Sequence, residues 1–101
     1  MKLEKRKLVT IIIQDTMEKD VIENIKSLGI KGYTISPASG EGISQVRNNA
    51  WEGSNVRIET ILREETALNL MKLMGELYFD LYGVIVFSQD VEVIRKDKFD
   101  S

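Results

Sequence analysis

Cysteine and histidine are both absent from the 101 residues of this chain. Their absence excludes disulfides, thiolate nucleophiles and the usual soft metal sites, and it removes the commonest general base of enzymes. Carboxylates alone could still hold Mg²⁺ or Ca²⁺, but no D-x-D-x-D-G spacing occurs to form such a site. Catalysis is therefore not expected. An excess of charge of one sign is also missing: 14 Lys and Arg are interspersed among 16 Asp and Glu, for a formal net charge of -2, which leaves no electrostatic footprint for nucleic acid. No apolar run is long enough to span a bilayer, and Met1-Lys2-Leu3-Glu4-Lys5-Arg6-Lys7 lacks the apolar stretch and small-residue cleavage site of a signal peptide. These absences point to a cytoplasmic protein of one domain, small enough that its large surface-to-volume ratio favours oligomerisation.

What is present begins, after residues 1–6 that read as a flexible N-terminus, with Leu8-Val9-Thr10-Ile11-Ile12-Ile13, a β-branched run of the kind that forms a buried strand. Asp15 follows as a helix cap with Glu18 as its capping-box partner. Met17, Val21, Ile22, Ile25 and Leu28 then repeat at helical spacing, and Gly29 supplies a left-handed stop. A second strand runs from Tyr33 to about Ser36 and ends at the single proline, Pro37, which cannot donate to a central ladder. Asn55 to Leu62 alternates cleanly, with Val56, Ile58, Thr60 and Leu62 fit to pack on helices and Asn55, Arg57, Glu59 and Ile61 on the other face. Arg57 and Glu59 need water or a partner surface; they read either as a cross-strand salt bridge or as the lining of an intersubunit cavity.

Glu64 and Glu65 open a second helix whose apolar stripe is expected at Ala67, Leu68, Met71, Met74 and Leu77/Tyr78. Gly83 precedes a fourth strand, Val84 to Phe87, and Val91 to Arg95 could form a short fifth. Tyr78, Phe79, Tyr82 and Phe87 are expected in the core or at an interface. The order βαβ, long loop, βαβ has as its simplest closed solution an α+β ferredoxin-like βαββαβ sandwich: a four-stranded antiparallel sheet with both helices on one face. That domain takes in residues 7–95, with the long loop at about 38–54 and a C-terminal tail at 96–101. One sheet face is left bare, and association of several copies is the natural way to cover it.

The stretch from Tyr33 to Thr60 is the most informative, because it sets a long loop rich in Gly, Asn and Ser between two strands, and a small domain seldom keeps such a loop without a use. Gly40-Glu41-Gly42 lets backbone N–H groups turn inward as an anion-binding nest, and Arg47 lies just beyond to add a positive charge. Two close glycines also mark ordinary tight turns, and Arg47 could equally be a solvated loop charge. Between Ser39 and Ser54 the three glycines, the adjacent Asn48 and Asn49 and the few apolar residues bury too little to offset an ordering cost of roughly 1–2 kcal/mol per residue. Binding of a ligand or partner would have to supply the difference. Trp51 amid Glu52, Gly53 and Ser54 is either an exposed anchor for a partner or a plug folded onto a subunit boundary. Glu41 and Glu52 could form an acid/base pair, but nothing in the sequence supplies the environment that would perturb them.

Lys31-Gly32-Tyr33-Thr34, followed by Gly40-x-Gly42 and then Val46-Arg47, resembles the PII-like signalling proteins, in particular the branch that regulates bicarbonate transport. The Trp51-Glu52-Gly53-x-Asn55-x-Arg57-x-Glu59-Thr60 string looks like a sister branch. The resemblance extends from Lys7-Leu8-Val9 to Val91–Arg95. It implies a trimer of ferredoxin-like subunits, with an adenine nucleotide in the cleft between neighbours and the long loop contacting a transporter or enzyme. Carried over by motif, it implies Gly40, Gly42 and Arg47 at the phosphates, Thr34 near adenine, and the strand from Gly83 and Val84 to Phe87 lining the cleft. Arg95 matches an arginine of the nitrogen-regulating members, and Arg47, Trp51 and Glu52 would face the partner. Where the bicarbonate branch has a lysine between the glycines and an arginine two positions after the second, this chain has Glu41 and Ser44. Of the possible adenine nucleotides AMP, cyclic AMP, ADP and ATP, the change of charge disfavours the triphosphate, so a less charged ligand such as AMP or cyclic AMP, or none at all, becomes more credible.

Two other classes compete. A ferredoxin-like RNA-binding module would stack bases on aromatics of its central strands, and Leu8–Ile13 and Asn55–Leu62 contain none. A trimeric interaction module that binds a protein through its loop, with no nucleotide, fits the same residues.

Overall fold

The structure, a computed structural model, describes residues 2–40, 54–80 and 83–94. Strand β1 (Leu3–Gln14) leads through a single 3-10 turn (Asp15–Met17) into helix α1 (Glu18–Ser27). Strand β2 (Thr34–Ala38), strand β3 (Asn55–Leu62), helix α2 (Glu64–Tyr78) and strand β4 (Ile85–Ile94) follow. All three pairings are antiparallel and the strand order is β2-β3-β1-β4, the ferredoxin-like arrangement.

Register explains the core. Val9, Ile11 and Ile13 of β1 lie opposite Thr60, Ile58 and Val56 of β3, so the apolar alternation of both central strands falls on one face. Val9, Ile11, Ile13, Ile58 and Leu62 are fully buried there against Val21 and Ile25 of α1 and Ala67, Leu70, Met74 and Tyr78 of α2. Each buried branched side chain contributes about 1.5–3 kcal/mol relative to exposure. Thr60 shares that face and avoids an unsatisfied hydroxyl by donating to the Gly32 carbonyl at 2.6 Å, which fixes the approach to β2. Helix α1 stops where Gly29 adopts a φ of 82°, with the Leu28 and Gly29 amides donating back to Ile25 and Lys26.

Several expectations are corrected. Asp15 does not cap a helix and makes no capping box with Glu18: the chain closes a 3-10 turn first, and neither helix turn has a side-chain cap. Within the segment 1–6 expected to be flexible, Leu3 to Arg6 already belong to β1 and pair with the far end of β4. Pro37 does not end β2; it lies inside the strand opposite Val56, which is possible because β2 is an edge strand and its missing N–H removes no bond from an interior ladder. Among the described residues no separate fifth strand forms: Val91 to Ile94 continues β4 through Ser88, Gln89 and Asp90, which are polar but exposed on an edge. In α2 the buried stripe is Ala67, Leu70, Met74 and Tyr78, while Leu68 and Leu77 are 68% and 49% exposed. Phe79 is 83% exposed, so within the single chain it belongs to no core.

Candidate ligand-binding site

The long loop leaves the sheet after Ala38 and returns at Asn55, which are cross-strand partners, and Asn55 in turn faces Gln14 at the end of β1. Strand β4 starts at the same end, with Ile85 opposite Ile12. Gly40 is exposed at the departure of the loop, and Gly83 has a φ of 82° in the turn that feeds Val84, which packs against the core, into β4. Thr34 is exposed on β2, in the row Thr34, Glu59, Thr10, Phe87. Three strand spacings of about 4.8 Å put the ends of that row roughly 14 Å apart. Thr34 and Gly40 thus belong to one edge of the sheet, and Gly83 and Val84 to the other. A single chain does not bring the two groups together. Glu41, Gly42, Ser44, Arg47, Trp51, Glu52, Tyr82 and Arg95 lie outside the described residues.

The returning end of the loop is clamped from the end of β1. Asp15 donates its amide to the Ser54 carbonyl at 2.8 Å, and its carboxylate accepts from the Ser54 amide at 3.2 Å and hydroxyl at 3.5 Å. The other carboxylate oxygen of Asp15 is buried without a hydrogen-bond partner among the described residues. This clamp is a feature at the base of the loop that sequence reasoning missed. Asp15 carried a signal for a polar side chain bonding nearby backbone, but its partner is 39 residues away in sequence.

The sheet face opposite the helices carries rows Ser36, Arg57, Ile12, Ile85 and Thr34, Glu59, Thr10, Phe87. A cross-strand salt bridge, one of the two readings of this pair, is not present among the described residues: the register sets Arg57 opposite Ile12 and Ser36 and Glu59 opposite Thr10 and Thr34, none of them charged. Thr10 is 2% exposed, and its hydroxyl has no partner among the described residues. An unsatisfied buried hydroxyl costs about 1–3 kcal/mol. Ile85 and Phe87 stay more than a third exposed on the same face.

A groove of about 570 Å³ lies at the opposite end of the sheet, lined by Lys5, Lys7, Glu64, Asp90 and Glu92 among others. Two of its cations are already engaged, Arg6 with Glu4 and Lys7 with Asp90. Lys7 donates to Asp90 at 2.5 Å; that hydrogen bond raises the Lys7 pKa and lowers that of Asp90. The groove therefore offers a neutralised pair rather than an anion site. Among the described residues no group of three or more Asp or Glu is placed to hold a metal ion, and no helix is long and apolar enough to cross a membrane.

The end of α2 nearest Gly83 is tied to α1. The Tyr78 hydroxyl, on a residue 5% exposed, donates to the Asp20 carboxylate, and Asn24 Nδ2 donates to the same hydroxyl at 2.8 Å and to the Asp20 carbonyl at 3.0 Å. Burial, and then the neighbouring Asp20, push the Tyr78 pKa up to about 12.

Comparison with known proteins agrees with this architecture. The family described as nitrogen regulatory protein P-II matches residues 6–98. A PII-like protein of Thermus thermophilus is 45% identical, with 98% of this chain and 99% of that one covered and a TM-score of 0.81. CPII of Thiomonas intermedia, in a structure bound to ADP, AMP and acetate, is 27% identical over the whole of both chains with a TM-score of 0.84. A further CPII structure, bound to ADP, AMP and bicarbonate, is 25% identical over 93% of this chain and 96% of that one, at a TM-score of 0.76. No match is found among curated proteins. Since the family match takes in nearly the whole length, the chain belongs to the nitrogen regulatory protein P-II family of signalling proteins.

Proposed function

We propose that this protein is a non-enzymatic regulator that senses an adenine nucleotide in a cleft between neighbouring copies of a homotrimer. Through the loop at 38–54 it controls a partner, in our reading a membrane transporter. The observation that carries the ligand is the full-length likeness to CPII in complex with ADP, AMP and acetate. Geometry supports the cleft: Thr34 and Gly40, two of the residues expected at adenine and phosphate, belong to one edge of the sheet and the strand expected to line the cleft to the other, roughly 14 Å away. Setting edge β2 of one copy beside edge β4 of the next would unite them. Glu41 beside the phosphates, with Ser44 in place of an arginine, favours a ligand of low charge.

Thermal unfolding with AMP, cyclic AMP, ADP and ATP tests the reading. A ligand that binds only the folded form stabilises it by RT ln(1 + [L]/Kd), about 2.7 kcal/mol at a hundredfold excess over Kd. At least one nucleotide is expected to raise the Tm, and Arg47→Ala to weaken every phosphorylated ligand. If none of the four shifts the Tm at millimolar concentration while the protein sediments as a trimer, it is an interaction module without a nucleotide.

A further inference from the structure

We infer that Arg57 and Glu59 form ion pairs between copies of the chain, and that these pairs set the register in which the copies meet. The inference rests on the assembly proposed above and goes beyond it by naming the contact.

The two side chains stand two positions apart on β3, about 7 Å along the strand, on the face that the helices do not cover. Within one chain neither has an ion-pair partner among the described residues. Around them lie Ile12, Ile85 and Phe87 with the small polar side chains of Thr10, Thr34 and Ser36 between them; none is charged, and an unpaired charge among them is expensive once water is displaced.

A second copy is the occupant that fits. In these two rows the face presents one cation and one anion side by side, so it can serve as its own electrostatic complement. A cyclic arrangement that sets Arg57 of one copy against Glu59 of the next repeats that pair at every junction and leaves neither charge over when the ring closes. An unrelated partner would need both signs at the same spacing. The apolar surround supplies area but little direction, whereas a charge pair penalises every register that brings like charges together.

The test uses full-length protein in sedimentation velocity and native mass spectrometry. Arg57→Glu and Glu59→Arg, each alone, are expected to raise the protomer concentration at which assembly is half complete by at least tenfold. Combining the two substitutions in one chain is expected to restore assembly, because opposite charges then meet at every junction with their signs exchanged. Single variants that assemble at the wild-type concentration, or a double variant that stays dissociated although it is folded by circular dichroism, would overturn the inference while leaving the assembly itself intact. A monomeric wild type would remove the assembly and the ion pairs together. Should the reversed charges prevent folding, Arg57→Gln, Glu59→Gln and their double variant carry the test: coupled effects on the midpoint support the pair, and additive ones overturn it.

Discussion

Removing the Tyr78 hydroxyl isolates one bond that holds α2 to α1 near the turn into β4. Tyr78→Phe keeps a ring on a residue only 5% exposed and deletes donation to Asp20 and acceptance from Asn24. A hydrogen bond to a charged group contributes about 1.5–3 kcal/mol. Asp20 is exposed and recovers water when the hydroxyl goes, so the net loss is set at about 1–2 kcal/mol. For a domain of this length each kcal/mol moves the Tm by about 4–8 °C. Calorimetry at fixed protomer concentration should therefore show a fall of roughly 5–15 °C. The pH dependence provides a second readout. The phenol titrates near 10 when unfolded and near 12 when folded, so its contribution is complete below pH 10 and is lost as pH rises towards 12. The gap between wild type and variant should narrow over that window. A Tm change below about 1 °C, or a gap that stays constant from about pH 9 to 12, would refute the role given to this hydroxyl.

Asp15→Ala should leave the overall Tm little changed but speed amide exchange at Ser54 and Asn55, since it removes a side-chain clamp of 3.2 Å and keeps the 2.8 Å backbone bond; unchanged exchange at Ser54 would show that the carboxylate does not hold the loop. Gly29→Ala meets no atom within 4 Å, so its cost is that of a left-handed backbone alone, about 1–2 kcal/mol, measurable as a Tm fall of several degrees. Glu41→Lys should raise affinity for ATP relative to AMP, and calorimetry giving an unchanged ratio would argue against Glu41 facing phosphate. If the cleft is completed between copies, dilution below the assembly midpoint should weaken nucleotide binding, whereas an affinity independent of protomer concentration would place the whole site in one chain.

The sequence was most legible where one face of an element is buried and local. Strand β3 was expected at Asn55–Leu62 and occurs there, because its alternation is matched residue by residue to β1. Legibility failed at edges. Pro37, Ser88, Gln89 and Asp90 looked like breaks because their cost in an interior strand is high, yet β2 and β4 are outermost and expose what those residues need exposed. In α2, leucines on several faces left two stripes of similar hydrophobicity, and packing against β1 and β3 chose Leu70 over Leu68. The clamp between Asp15 and Ser54 could not be read at all. It depends on the ends of β1 and β3 being neighbours, which is a property of the sheet and not of either segment.

Two observations concern the same incompleteness. The expected ligand residues Thr34 and Val84 stand on opposite edges, and Arg57 and Glu59 face outward together without an ion pair among the described residues. Both would be completed if copies met through the uncovered face and its edges. Assembly and ligand binding would then draw on the same contacts. A nucleotide bridging two copies must strengthen their association by as much as association strengthens its own binding, because the coupling free energy is shared between the two events. The long loop springs from the same end of the sheet as that junction, with its return fixed to β1 through Asp15. A small shift of one copy against the next would thus reach the base of the loop directly, through backbone and one carboxylate, with no relay across the core.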